Sequence, residues 1–88
     1  MKLKNKVAVV TGANSGIGFG IAAAFKNEGA IGTITGRNQE TLDRSVAALG
    51  AGFVGIQADV TNMDDLERIF RETFDRFGKI DTLVVNAG

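Results

Sequence analysis

The chain has 88 residues, enough for one compact unit and fewer than a typical domain of roughly 100–200 residues. Its ten basic and ten acidic residues cancel and no like-charge block occurs, so a nucleic-acid-binding surface is not expected. Disulfides, thiolate nucleophiles and cysteine metal sites are excluded because the chain has no cysteine. The apolar run after the first lysines is too short for a signal peptide or a membrane span. We therefore expect a cytoplasmic protein that needs no metal and no membrane.

The first half of the chain alternates between strand and helix patterns. Residues 7–11 form a continuous apolar run, typical of a strand buried on both faces. A helical spacing follows from Gly16, and Gly29 stands where a helix ends. Residues 31–35 are predicted to form a second strand, because they are short and rich in β-branched side chains. Asn38 is then predicted to N-cap a second helix that ends at Gly50.

The second half repeats this alternation. Residues 53–57 are predicted as the third strand, and Thr61 with Asp64 resembles a capping box at the start of a third helix. That helix is predicted to end at Gly78 and to carry one apolar stripe: Met63, Leu66, Phe70, Phe74 and Phe77. Five of the six phenylalanines lie in predicted helices, and we expect these five to pack in the core. A fourth strand is predicted at residues 80–85.

The order of elements is therefore βαβαβαβ, with short connections and no linker or repeat. Strands that alternate with helices imply a parallel sheet with right-handed crossovers. The sequence predicts a single α/β unit over residues 1–88.

The loop after the first strand carries glycines at 12, 16 and 18 and leads directly into a helix. Backbone N–H groups and the helix dipole favour an anion there, above all a phosphate, and glycine allows a pyrophosphate to come close. A tight turn without a ligand is the alternative. A Walker A loop is excluded because Ile17 stands where its second glycine belongs, and G-x-G-x-x-G is excluded by Ile21.

The actual pattern, Thr11-Gly12-x-x-x-Gly16-x-Gly18, resembles the coenzyme loop of the short-chain dehydrogenase/reductase (SDR) family. The stretches "ADVT" and "GKIDTLVVNAG" match that family's later motifs in the same order, with Val85 at a position where many members have Asn. The resemblance covers the whole chain. It implies a Rossmann-type doubly wound sheet with strand order 3-2-1-4, truncated to the N-terminal half of an NAD(P)-binding domain.

The resemblance also implies which residues bind the coenzyme. The loop would contribute backbone N–H groups and geometry, while Asp59 and Val60 would contact the adenine. Asn86 would hold neighbouring strand ends together, Gly88 would let the ribose approach, and Thr11 would brace the loop by hydrogen bonds to its backbone. The expected binding residues are Gly12, Asn14, Ser15, Gly16, Ile17, Gly18, Arg37, Asn38, Asp59, Val60, Asn86, Ala87 and Gly88. Without the rest of the pattern, Asp59 would be read as a turn-forming residue.

The end of the second strand decides between NAD and NADP. NAD-binding folds place a carboxylate on the ribose hydroxyls about 20 positions after the glycine loop, where this chain has Gly36 and then Arg37. Arg37 suits a 2′-phosphate and can stack on adenine, and Asn38 could donate a further bond. We therefore predict NADP rather than NAD. The alternative is that Arg37 is a solvated loop charge.

Catalysis in the family needs a Ser and a Tyr-x-x-x-Lys, and this chain contains no tyrosine. Its serines, Ser15 in the loop and Ser45 in a predicted helix, are expected to be structural. We expect the parent protein to transfer hydride between NADP(H) and a carbonyl or alcohol, and these 88 residues to catalyse no turnover. The alternatives are a non-catalytic dinucleotide-binding module and a structural fragment that binds nothing. The substrate is not defined by these residues.

The fourth strand is central in the family, with a fifth strand beside it. Here it would be an unpaired apolar edge at Leu83, Val84 and Val85, and the sheet face under the third helix would be thinly covered. We therefore expect a homo-oligomer, formed through the fourth strand or through the uncovered face.

Overall fold

The structure is a computed structural model that describes residues 2–13 and 16–86. Strands and helices alternate through them: β1 (Val7–Val10), α1 (Gly16–Asn27), β2 (Ile31–Gly36), α2 (Gln39–Leu49), β3 (Phe53–Gln57), α3 (Met63–Phe77) and β4 (Thr82–Val84). The strands form one parallel sheet in the order β3-β2-β1-β4. The predicted α/β doubly wound fold and strand order are confirmed. Among these helices, none is long and apolar enough to cross a membrane.

Helices cover both faces of the sheet, because the right-handed crossovers through α1 and α2 run in one direction along the sheet and the crossover through α3 runs in the other. On one face, α1 and α2 pack on a buried cluster: Val10, Ala13, Ala22, Ile34, Leu42, Leu49 and Phe53. On the other face, Ile69 of α3 packs with Val9, Ile56 and Ala58. The central strand β1 is buried on both sides, which explains its continuous apolar run.

For α2 and α3, three of the four predicted helix ends agree with the structure. Gly50 and Gly78 end α2 and α3, each with φ of 81°, a conformation that glycine adopts without a Cβ penalty. The Asn38 side chain caps α2. The predicted Thr61 cap is wrong: Asn62 caps α3 by accepting a hydrogen bond from the Asp65 N–H.

The prediction that the helical phenylalanines pack in the core is confirmed only in part: Phe19 of α1 packs against the first cluster, but none of the five is fully buried. Among the described phenylalanines, the fully buried one is Phe53, which lies in the strand β3, whereas Phe74 of α3 is 57% exposed. Instead, α3 turns Ile69 and Thr73 onto the sheet. Since no second helix packs beside α3 among the described residues, only one narrow side of it is covered, and the stripe predicted as core stays partly in water.

The fourth strand is shorter than the predicted residues 80–85. Ile80 packs against the second cluster. Asp81 is bonded twice to Val7 at the start of β1: the Asp81 N–H donates to the Val7 carbonyl, and Asp81 Oδ2 accepts the Val7 N–H, both at 2.8 Å. β4 pairs with β1 and forms one edge of the described sheet. Leu83 and Val85 are exposed there.

Candidate functional site

The predicted binding residues that the structure describes gather at one edge of the sheet. Each follows the carboxyl end of a strand, and parallel strands end on the same side. In the strand order β3-β2-β1-β4, the strands β2 and β3 follow one another on one side of β1. The strand β4 lies on the opposite side of β1. The boundary between β1 and β4 is therefore the switch point at which open α/β sheets bind ligands.

The N-terminus of α1 has the electrostatics of an anion site. Its first turn contains no acidic residue, whereas α2 has Glu40 and α3 has Asp64 and Asp65 in theirs. The partial positive charge of the α1 dipole is thus left uncompensated by first-turn side chains. At Gly16, the first helical residue, a Cβ would meet no described atom within 4 Å. An anion could therefore approach this backbone closely.

The other two loop glycines serve a packing role. At Gly12, where φ is 65°, a Cβ would lie 2.6 Å from the Asn86 carbonyl oxygen. At Gly18 it would collide with the Gly12 carbonyl and lie 2.8 Å from Asn86 Nδ2. Both glycines let α1, the loop and the end of β4 come together, so the predicted motif divides into two packing positions and one open position.

Three hydrogen bonds hold the described part of this loop. The Ala13 N–H donates to the Thr35 carbonyl of β2 at 3.0 Å, and Ser45 Oγ of α2 donates to the Ala13 carbonyl at 3.4 Å. Asn86 Nδ2 donates to the Gly12 carbonyl at 3.4 Å, which agrees with the role inferred for Asn86. Ser45 was expected to be structural, but its contact with the loop is not visible in the sequence because its partner lies 32 residues away.

Thr11 is structural, as expected, and its described partners lie at the end of β4. Its N–H and its hydroxyl both donate to the Val84 carbonyl, at 2.9 Å and 3.4 Å, and Oγ1 accepts the Asn86 N–H at 2.9 Å. The side chain is buried between two parallel strand ends. Among the residues that the structure describes, Thr11 thus joins β1 to β4, while Asn14 and Ser15 of the loop lie outside them.

The residues after β2 and β3 lie beside one another. Arg37 is 73% exposed, and its Nη2 lies 3.6 Å from Asp59 Oδ1. The same Oδ1 accepts hydrogen bonds from the hydroxyl and the N–H of Thr61, at 2.6 Å and 2.9 Å. These two bonds, and secondarily the Arg37 charge, hold the Asp59 pKa below its usual range against the opposing effect of burial. Asp59 is thus a turn-forming residue that also contacts Arg37.

The remaining predicted residues fall in three places. Asn38 Oδ1 accepts the Thr41 N–H at 3.0 Å, so its amide oxygen is engaged in the cap of α2. Val60 packs against the α3-side cluster, and Ile17 is exposed in the first turn of α1. Predictions for Asn14, Ser15, Ala87 and Gly88 lie outside the described residues. No group of side chains suited to a metal ion occurs in the part of the chain that the structure describes.

Comparison with known proteins identifies the family. The sequence profile of the short chain dehydrogenases matches residues 6–88, almost the entire chain. The chain belongs to the short chain dehydrogenase family. An oxidoreductase of Sarocladium schorii, asL5, is 42% identical over 87 residues, which cover 99% of this chain and 35% of that protein. A cis-2,3-dihydrobiphenyl-2,3-diol dehydrogenase of a Pseudomonas species is 42% identical over 88 residues, 100% of this chain and 32% of that protein.

A solved structure shares the fold of this short chain dehydrogenase sequence. The 3-ketoacyl-(acyl-carrier-protein) reductase of Brucella melitensis, crystallised with NADH, superposes with a TM-score of 0.88 at 33% identity. The match covers 92% of this chain and 33% of the reductase. The chain thus spans about a third of the length of these relatives.

Proposed function

We propose that these residues form the coenzyme-binding part of an NADP(H)-dependent oxidoreductase acting on a carbonyl or alcohol. The observation that carries this proposal is the charge pattern at the carboxyl edge of the sheet. The first turn of α1 is free of acidic side chains, and Arg37 stands after β2 where an NAD-binding chain would place a carboxylate. Both features favour a ligand with phosphates at two separate points.

The pyrophosphate is assigned to the first turn of α1, above Gly16. The open space at that Cα admits a phosphate, and the Gly16, Ile17 and Gly18 N–H groups belong to the turn whose dipole favours it. Asn14 and Ser15 complete the assigned loop, as the family resemblance implies. When bound, the coenzyme would supply or accept the hydride of the reaction.

The 2′-phosphate is assigned to Arg37. Its guanidinium is highly exposed, and its pairing with Asp59 at 3.6 Å is an exposed contact that water screens strongly. A phosphate offers the guanidinium a bidentate, charge-assisted partner, which is stronger than the present contact. Asn38 retains its amide N–H donors for the same group, since its capping bond uses Oδ1.

The adenine is assigned to Asp59 and Val60. The described contacts of the Asp59 carboxylate with Thr61 and Arg37 all use Oδ1, so Oδ2 can accept a hydrogen bond from the adenine amino group. Asn86, with Ala87 and Gly88, is assigned to the ribose side of the site, next to β1.

A coenzyme titration tests this proposal. The 88-residue chain should bind NADPH more tightly than NADH in isothermal titration calorimetry. Arg37→Ala should lower the NADPH affinity by about tenfold or more and leave the NADH affinity nearly unchanged, since it removes a charge-assisted contact to the 2′-phosphate. Arg44→Ala, an exposed arginine within α2, is the matched control. Equal affinities for both coenzymes would contradict the NADP assignment, and no binding of either would favour the purely structural alternative.

We further propose that these 88 residues bind the coenzyme without catalysing turnover, because they contain no tyrosine, histidine or cysteine that could act as the proton donor. The proposed setting is cytoplasmic. Oxidation of NADPH with a carbonyl compound by the purified 88-residue chain alone would contradict the proposal.

Self-association is the remaining part of this proposal. Leu83 is exposed in the edge strand β4, Val85 is exposed directly after it, and Phe74 is exposed on α3. Exposed apolar edge strands pair readily with other copies. We expect a dimer or larger assembly at about 0.1 mM in small-angle scattering, a concentration at which contacts of modest affinity are populated. Leu83→Lys should shift it toward monomer, whereas a monodisperse wild-type monomer would contradict this expectation.

A further inference from the structure

Five polar residues form a closed chain of contacts around a cavity of about 330 Å³ at the carboxyl end of β3. One half of this ring runs through the backbone. Arg68 Nη2 of α3 donates to the Gln57 carbonyl at 2.7 Å, and Gln57 Nε2 donates to the Arg37 carbonyl at 2.9 Å. Arg68 is thereby connected to the backbone of Arg37 through a single intervening residue.

The other half of the ring runs through carboxylates. Arg68 Nη2 lies 3.6 Å from Asp65 Oδ1, and Asp65 Oδ2 accepts the Asp59 N–H at 2.8 Å. Asp59 Oδ1 then lies 3.6 Å from Arg37 Nη2. Arg68 therefore reaches both the backbone and the guanidinium of Arg37, by two separate routes.

The position of Arg68 is fixed by the packing of α3 on the sheet. Its neighbour Ile69 is fully buried against the sheet, which ties this turn of α3 to the core. The Arg68 side chain is 36% exposed, whereas that of Arg71, one turn later, is 60% exposed and forms a helix-surface pair with Glu67. Arg68 also has such a pair, with Glu72 at 3.4 Å, but that pair does not account for its bond to the Gln57 carbonyl.

We propose that Arg68 is a positioning residue for the 2′-phosphate site, which orients Arg37 through Gln57 on one side and through Asp65 and Asp59 on the other. The inference rests on the proposed function, because it assigns a role to Arg68 in the discrimination that Arg37 provides. Arg68 need not touch the phosphate. It holds the end of β3 and the loop after it in the position from which Arg37 presents its planar guanidinium.

The test compares Arg68→Met with the matched control Arg71→Met. Both changes remove a guanidinium from the same helix and keep a long apolar stem. The probes are adenosine 2′,5′-bisphosphate and 5′-AMP, which differ only in the 2′-phosphate, and the readout is the ratio of their dissociation constants by calorimetry. We expect Arg68→Met to reduce the preference for the bisphosphate by about threefold to tenfold, as for indirect couplings, with 5′-AMP affinity almost unchanged. Arg71→Met should keep the wild-type ratio.

A second measurement needs no ligand. Hydrogen exchange of the Asp59 amide, which donates to Asp65, should accelerate in Arg68→Met and not in Arg71→Met. If Arg68→Met does not fold, Gln57→Met and Asp65→Asn each open one half of the ring and should each reduce the preference in part.

The outcomes separate this inference from the proposal on which it rests. A wild-type chain that binds the bisphosphate and 5′-AMP equally would overturn both. A wild-type preference that survives unchanged in Arg68→Met would overturn the role of Arg68 alone. Equal losses for both probes would also overturn it, since a merely structural arginine would weaken the whole site without regard to the 2′-phosphate.

Discussion

Gly18 and Gly12 lie so close together that a side chain on one would overlap the backbone of the other. A Cβ built at Gly18 collides with the Gly12 carbonyl oxygen and lies 2.8 Å from Asn86 Nδ2. The start of α1, the glycine loop and the end of β4 are therefore packed on one another at this point. Gly16, two residues before Gly18, has no such neighbour among the described residues.

Gly18→Ala should destabilise the fold. The methyl group has to displace backbone, which is rigid here, and overpacking of this kind costs about 1–3 kcal/mol. Gly20→Ala is the matched control, because it lies in the same helix with open space around it, and replacing glycine in a helix stabilises by up to about 1 kcal/mol. Urea unfolding followed by circular dichroism measures both. Equal stability of the two variants would show that the loop can move aside.

Gly16→Ala should fold normally and lose coenzyme affinity. The added methyl meets no described atom, so the free energy of unfolding should stay at or slightly above the wild-type value. It would, however, stand in the space assigned to the pyrophosphate, and we expect NADPH to bind at least about tenfold more weakly. Gly20→Ala is again the control. Undiminished NADPH binding by a folded Gly16→Ala would remove the pyrophosphate from this turn.

The order of elements could be predicted because each element carries a periodic pattern of its own. Continuous apolar residues in β1 and β-branched residues in β2 indicated buried strands, and the glycines at 50 and 78 ended helices where expected. Periodicity did not show which side of α3 meets the sheet. The stripe through Phe74 is the more apolar one, but the side carrying Ile69 and Thr73 is buried: Ile69 packs in the second cluster, and Thr73 pairs with Thr33 of β2.

The candidate site could be predicted only as far as its motifs extend. The glycine loop and Arg37 were found from residue type and spacing, and Asp59 from the family resemblance; the structure places all three at one edge of the sheet. Ser45, Gln57 and Arg68 were not found. They are polar residues on surface elements, and their partners at the site lie 32, 20 and 11 residues away, a separation at which sequence spacing carries no information about contact.

Thr33 of β2 and Thr73 of α3 form a buried pair, and loss of the hydroxyl should lower the free energy of unfolding by different amounts at the two positions. Thr33 Oγ1 and Thr73 Oγ1 lie 2.8 Å apart, and Thr73 Oγ1 donates its single hydrogen to the Ile69 carbonyl at 2.7 Å. Thr33 must therefore be the donor to Thr73. Thr73→Val leaves that buried donor without a partner and should cost about 1–3 kcal/mol, whereas Thr33→Val should cost less.

Thr35→Val is the matched control for this pair. Thr35 Oγ1 is buried and has no hydrogen-bond partner among the described residues, so its replacement should be neutral or stabilising. Chemical denaturation of the three variants and of the double variant Thr33→Val/Thr73→Val measures the coupling. A double variant that costs the sum of the single changes would contradict the hydrogen bond between the two side chains.

Acid should destabilise the fold through Asp81 in particular. The Val7 N–H donates to Asp81 Oδ2 at 2.8 Å and is the main cause that lowers the Asp81 pKa, with Lys79 at 3.2 Å adding to it and burial opposing it. The unfolded chain takes up this proton near the ordinary pKa of about 3.9, and the folded chain only at a lower pH. The stabilisation is therefore fully present above about pH 4 and is lost as pH falls through the folded value.

Asp81→Asn tests this origin of the acid sensitivity. The amide oxygen can still accept the Val7 N–H, but the side chain no longer titrates, so the free energy of unfolding should fall less steeply with decreasing pH below about 4. The pKa of Asp59 is lowered mainly by Thr61, so Asp59 should still contribute to the pH dependence of the free energy of unfolding in this variant. Thermal unfolding measured at intervals below about pH 5 gives both curves. Parallel curves for wild type and Asp81→Asn would mean that Asp81 binds its proton equally well in the folded and unfolded chains. The hydrogen bond between Asp81 and the start of β1 would then stabilise the fold as a neutral bond rather than as a charged one.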